Sequence, residues 1–310
     1  MAAWSPMMIA ESADLLVSPW RFQAHPEVWL LVLFVVGSWW YAVRFIAPHT
    51  PEVRSGSPAV TKRQGWLFVS AVATLWLASD WPIHDISEEY LYSVHMFQHM
   101  ALSYFLPLLA VLATPLWLFR AVLGSPRAGR AIRWLAQPVI AGFIFNVVII
   151  ITHIPGVVNQ SVSNPLLHYS VHVAVVLSSL LMWIPIAAPD PLMRIGYGGR
   201  MVYLFLMSVI PTVPAAWLTF AEGAVYKHYD IAVRVWGLSV TTDQQIAGAI
   251  MKTGGSIFLW SIIVFLWFKR FMGGYGRQQS YRRTPDKTLT YDEVTKAFDR
   301  VPAAPEPHRD

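Results

Sequence analysis

Two short stretches carry the residue types most suited to chemistry. "YSVHMFQHM" (92–100) holds His95 and His99, and "HYSVH" (168–172) holds His168 and His172. On a helix, residues four apart share one face, with their β-carbons about 6 Å apart. Each pair can therefore offer two imidazole nitrogens to one metal ion, as in other metal sites built on histidines one turn apart. The first stretch also offers thioethers. On an ideal helix Met96 and Met100 lie about 100° and 140° round from His95, flanking His99, where they either soften a metal site or pack as gap-fillers. Imidazole suits zinc, copper, iron and nickel, and thioether shifts the preference towards Cu(I). The chain has no cysteine, so thiolate sites and disulfides are excluded.

These pairs sit at the edges of apolar runs. The composition is 55% hydrophobic and 13% charged, with mean hydropathy +0.45, whereas soluble proteins carry about 25% charged residues. Seven stretches are long enough to cross a hydrocarbon core of roughly 30 Å. They fall at about 26–46, 65–81, 91–119, 134–152, 167–187, 200–220 and 246–269. Pro107 and Pro115 inside the third predict a kink or an early end. The expectation is an all-α integral membrane protein, a seven-helix bundle over 26–272. A short segment (1–25) precedes the bundle and a polar tail (273–310) follows it. The N-terminal stretch lacks a basic region and is interrupted by Glu11 and Asp14, so it does not read as a signal peptide. Residues 289–299 suit a short helix.

Basic residues alternate by loop. Arg44, Arg54, Lys62 and Arg63 follow span 1, Arg120, Arg127, Arg130 and Arg133 follow span 3, and Arg194 and Arg200 follow span 5. The 2–3 and 4–5 loops have no Lys or Arg. The positive-inside rule then places the N-terminus outside and the C-terminus in the cytoplasm. The net charge of +5 is explained by those loops and needs no nucleic-acid partner. In this orientation His25, His84, His95, His99, His153, His168, His172 and His228 all lie towards the outer face, while His49 and His308 are cytoplasmic. Ionisable groups at membrane depth are costly and usually functional, so a metal site is expected among His95, His99, His168, His172, His84 and His153, with Met96 and Met100 as possible soft ligands. The acidic 2–3 loop adds Asp80, Asp85, Glu88 and Glu89, as carboxylate ligands or as an ordinary solvated loop.

Three further segments, "HPEVWLLV" (25–32), "YSVHMFQHMALSYFLPLLAVLATPLWL" (92–118) and "TDQQIAGAIMKTGG" (242–255), give the chain a resemblance to the multi-span CtaG-like family of bacterial cytochrome c oxidase assembly factors. The likeness covers the spans but not the two tails. The family pattern often continues with Trp where this chain has Lys252, which puts a cation near or within span 7. The resemblance implies a non-enzymatic factor of the bacterial inner membrane that assembles a haem–copper oxidase, with copper delivery to an oxidase subunit as the leading role. An extracytoplasmic copper donor would be a second partner. The family's motif residues map to His95, Gln98, His99, Asp243 and Gln244. Of these, Asp243 and Gln244, with Gln98 and Asp80, are placed to orient imidazoles through the second ring nitrogen.

Two other readings stay open. A zinc-dependent seven-span hydrolase needs three His ligands, an open position for water and a carboxylate, which His84, His95, His99 and Asp80 could supply. A haem-binding or quinone-linked electron carrier fits less well. Two stacked haems need ligands about 13 residues apart along a helix, whereas a spacing of four focuses both nitrogens on one point.

Overall fold

The computed structural model describes residues 18–231, 234–283 and 290–299. Among them every regular element is helical. Among the described residues six helical stretches are long and apolar enough to cross a membrane: α1 (Pro26–His49), the stretch Lys62–Glu89, α4 (Tyr92–Ala113), α9 (Pro165–Ala187), α10 (Tyr197–Thr219) and α11 (Val240–Met272). The second of these is a regular helix, α2 (Lys62–Ser79), followed by a short one, α3 (Ile83–Glu89).

The sequence-predicted fourth span (134–152) takes a different form. It is a helix of fifteen residues, α7 (Pro138–Thr152), bent by 77° from the preceding α6 (Ala128–Leu135). The two together make a seventh crossing only if counted as one broken span. Pro138 explains the break, because proline starts a helix readily but cannot continue one. The third predicted span is also shorter than expected. It ends at Ala113, and Pro115 opens a separate helix, α5 (Leu116–Leu123). Within α4, Pro107 follows a widened turn at Ala101–Phe105, where the helix absorbs the donor that proline lacks. The polar connection α8 (Pro155–Ser163) precedes α9. In α10, Lys252 of α11 donates to the Ser208 carbonyl at 3.3 Å and to Thr212 Oγ1 at 2.6 Å, across the break at Pro211. The short helix expected near 289–299 is α12 (Tyr291–Phe298), started by a Thr290–Glu293 capping box. The rest of the tail beyond Arg283, His308 included, and the first seventeen residues lie outside the described residues, so the tail and signal-peptide readings are not addressed there.

The core is built on α4. Tyr92, Met96, Met100 and Tyr104 are buried with Phe145 of α7, Met182 and Trp183 of α9, Leu204 and Met207 of α10, and Met251 of α11. Gly142 lets Met207 and Tyr203 approach α7: a β-carbon there would sit 2.9 Å from the Met207 methyl. α1 packs chiefly on α2, where Trp39 stacks on Phe68 at 4.3 Å.

One interaction fixes where α4 begins. Asp243 is completely buried, and its carboxylate accepts from the backbone N–H groups of Tyr92 at 2.7 Å and Ser93 at 3.0 Å. Those N–H groups have no partner within their own helix, and a carboxylate also complements the positive end of the helix dipole. Asp243→Ala would strand two buried donors at about 1–3 kcal/mol each. We expect a loss on the order of 3 kcal/mol in thermal or denaturant unfolding of detergent-purified protein, with Asp243→Asn in between.

A histidine and carboxylate cluster at one end of the bundle

The cluster is assembled from four chain segments. His25 precedes α1, His84, Asp85 and Glu88 come from α3, His95 and His99 from the first turns of α4, and His168 and His172 from α9. Their rings form a continuous run. Centroid separations are 4.7 Å for His25–His84, 5.8 Å for His84–His168, 4.5 Å for His168–His172, 5.1 Å for His172–His99 and 4.4 Å for His99–His95. The two histidine pairs read from the sequence therefore do come together, with His95 and His172 at 6.2 Å.

Glu88 lies between the pairs. Its Oε1 is 2.9 Å from His95 Nδ1 and its Oε2 is 3.5 Å from His168 Nδ1. At the shorter contact the carboxylate accepts, so His95 Nδ1 carries a hydrogen and Nε2 keeps a lone pair when the ring is neutral. A carboxylate that fixes an imidazole through one nitrogen is the usual support for a metal-ligating histidine. Two sets of three groups have ligand atoms all within 4.8 Å of one another: His84, Glu88 and His168, and His25, His84 and Asp85. Deeper in, His99 is buried with no hydrogen-bond partner for either ring nitrogen. Such orphaned polar atoms are uncommon and call for an explanation, an ion among them.

His153 stands at the margin, its ring 6.5 Å from that of His99. Its Nδ1 donates to the Ile149 carbonyl at 2.6 Å, and burial pushes its pKa down to about 4, so it is neutral with Nε2 unprotonated. Outside the spans, His25 is held in the opposite sense. Burial works against its charge, but hydrogen bonds to Asp85 and Glu27 outweigh that and raise its pKa.

The walls come from the start of α4 and from the loop between α10 and α11. Tyr92 stacks on His95 at 5.3 Å, the Tyr229 hydroxyl donates to the Ser87 carbonyl at 2.8 Å, and the Tyr226 hydroxyl donates to the His153 carbonyl at 2.9 Å. Gln244 clasps this loop, accepting from the Val225 N–H at 2.8 Å and donating to the Tyr226 carbonyl at 3.2 Å. His228 donates through Nε2 to the Glu88 carbonyl at 3.1 Å. From the cluster an apolar crevice of about 590 Å³ runs between α1, α2, α4 and α9, with His84, His168 and His172 at its polar end and Leu31, Phe68 and Leu106 along its length.

Several expected residues take other parts. Met100 packs against Gly254 and Gly255 of α11, and Met96 is buried in the central core. Asp80 accepts from the indole N–H groups of Trp29 at 2.8 Å and Trp76 at 2.6 Å and from the Trp81 backbone N–H at 2.9 Å. It ties α1 to α2 rather than orienting an imidazole. Gln98 accepts from Ser87 at 2.9 Å and donates to the Ala78 carbonyl at 2.8 Å, which pins α3 and α2 to α4. Asp243 and Gln244 hold backbone, as described above. In the other direction, sequence reasoning left His25 unassigned and left Asp85 and Glu88 open between carboxylate ligands and an ordinary solvated loop. A signal existed in the spacing of His84 and Glu88, four apart on one face, but it shows only if that loop is known to be helical.

No curated protein and no solved structure matches the chain. A family does match, over residues 47–272. That stretch takes in the α2–α3 carboxylates, both histidine pairs and the capping Asp243, and leaves His25 just outside it. The chain belongs to the cytochrome c oxidase caa3 assembly factor family, Caa3_CtaG.

Proposed function

We propose that this protein is a seven-span factor of the bacterial inner membrane, N-terminus outside and C-terminus cytoplasmic. In this reading it binds copper at the outer end of its bundle and passes it to a haem–copper oxidase subunit, without catalysing a reaction. The observation that carries this is the preformed set His84, Glu88 and His168, with ligand atoms within 4.8 Å, backed by His172, His99 and His95 in ring contact behind it. Neutral imidazoles with one carboxylate suit copper or zinc. A cargo that must leave again is better held by a few exchangeable ligands near an aqueous face than by a closed cage. The alternating basic loops support the orientation, and the bent pair α6–α7 supplies the seventh crossing.

The zinc-hydrolase reading is less well supported. Its carboxylate, Asp80, is committed to two indoles and a backbone N–H, so it is not free to act on a bound water. Zinc remains the alternative metal, and a metal titration separates the two.

Detergent-purified protein should bind copper near stoichiometrically, with zinc weaker. His84→Ala or His168→Ala should weaken copper binding at least tenfold, and Glu88→Gln by about 10–100-fold through loss of imidazole orientation. Competition against a coloured copper chelator measures this. Zinc held in preference to copper would move the reading to zinc, and no metal bound would remove it. In cells, the same variants should leave the oxidase short of copper while its subunits are still made.

Orientation has its own measurement, because the chain has no cysteine of its own. Ser163→Cys, exposed at the end of α8, should react with a membrane-impermeant maleimide in intact spheroplasts. Ser57→Cys, exposed between α1 and α2, should react only after permeabilisation. The reverse pattern would invert the topology.

A further inference from the structure

The copper reading above leaves one group of residues without a task. His25, His84 and Asp85 bring ligand atoms within 4.8 Å of one another, yet they form a set separate from His84, Glu88 and His168. Asp85 Oδ1 is 2.7 Å from His25 Nε2 and 3.6 Å from His84 Nδ1. Asp85 Oδ2 and His84 Nδ1 are both buried without a hydrogen-bond partner, and Asp85 as a whole is 4% exposed. A buried carboxylate oxygen with no donor is costly, and here it is accompanied by an unpaired imidazole nitrogen. Structural ion pairing explains the His25–Asp85 contact. It does not explain why the other oxygen and the facing nitrogen are left bare.

The two sets share His84, and they differ in what adjoins them. The outer set adjoins Glu27, whose side chain is 44% exposed and 3.1 Å from His25 Nδ1. The inner set leads to His172 and the buried His99. Three carboxylates, Glu27, Asp85 and Glu88, line this path, and the only cationic partner described for any of them is an imidazole. A metal cation is drawn along such a path, and an anionic ligand is repelled.

We propose that His25, His84 and Asp85 form a loading position, from which the cation moves to His84, Glu88 and His168 by ligand exchange while His84 stays bound. The proposal rests on the copper reading and adds a direction to it. Both His25 nitrogens face carboxylates, so the incoming cation replaces the hydrogen on Nε2, which leaves to water. No electron is transferred. Exchange through a shared ligand avoids releasing the ion between the two sets.

The test uses the full-length protein in detergent, mixed rapidly with the Cu(I)–bicinchoninate complex, whose loss of colour reports transfer. Asp85→Asn and His25→Gln should each slow uptake about tenfold and leave the copper bound at equilibrium at the unsubstituted value. His84→Ala should lose both fast uptake and equilibrium binding. If both outer variants load at the unsubstituted rate, the loading position is overturned while the copper reading stands. If either lowers equilibrium copper as much as Glu88→Gln does, the outer residues belong to the holding site and the two-step path is wrong. If the unsubstituted protein takes no copper at equilibrium, the underlying reading fails, and the loading position with it.

Discussion

A carboxylate buried at the edge of a membrane has to find partners, and Glu88 finds a hydrogen-bond donor on one helix and an ion-pair contact on another. With α3 anchored by the Gln98–Ser87 and Tyr229–Ser87 hydrogen bonds, its two oxygens reach His95 of α4 and His168 of α9. Leaving such a group unpaired costs several kcal/mol. The arrangement therefore constrains both helices at once, bringing one imidazole pair to face the other and fixing which nitrogen of His95 is available. Much of the polar structure nearby serves to keep α3 in place. Asp80 gathers three tryptophans at its start, Gln98 braces its middle, and His228 donates to the Glu88 carbonyl near its end.

What was legible in the sequence follows from which interactions are local. The histidine pairs at spacing four are a one-helix property, so their shared faces and common depth could be read directly. The apolar runs likewise marked six helical stretches long enough to cross a membrane; Pro115 shortened the third, and at 134–152 Pro138 cuts a run that hydropathy alone joins. The carboxylates were legible only as one of two readings, because Asp85 and Glu88 acquire a single meaning only once the 2–3 loop is known to contain the helix Ile83–Glu89. Met96 and Met100 show the reverse limit. They sit beside His99 in sequence, but the 100° step per residue carries them towards α11 and the core, and residue type could not decide between ligand and packing.

Asp243 and Gln244 illustrate a third limit. Their types and depth fit the orienting of imidazoles, but they support the histidine cluster through backbone instead. One caps the first turn of α4, and the other holds the tyrosine loop that walls the cluster. A motif spread between distant segments can thus reflect a shared architecture without every member touching the ligand.

The cap contributed by Asp243 joins residues 151 and 150 positions apart. A polytopic chain is threaded into the bilayer from its N-terminal end as it is made, so α4 enters the membrane long before Asp243 has been translated. Until α11 arrives, the opening turn of α4, with His95 on it, has no acceptor for its N–H groups and no fixed starting point. The histidine cluster is consequently a late product of biogenesis. An unfinished chain, though most of the clustered side chains are already in the bilayer, holds these residues without their arrangement.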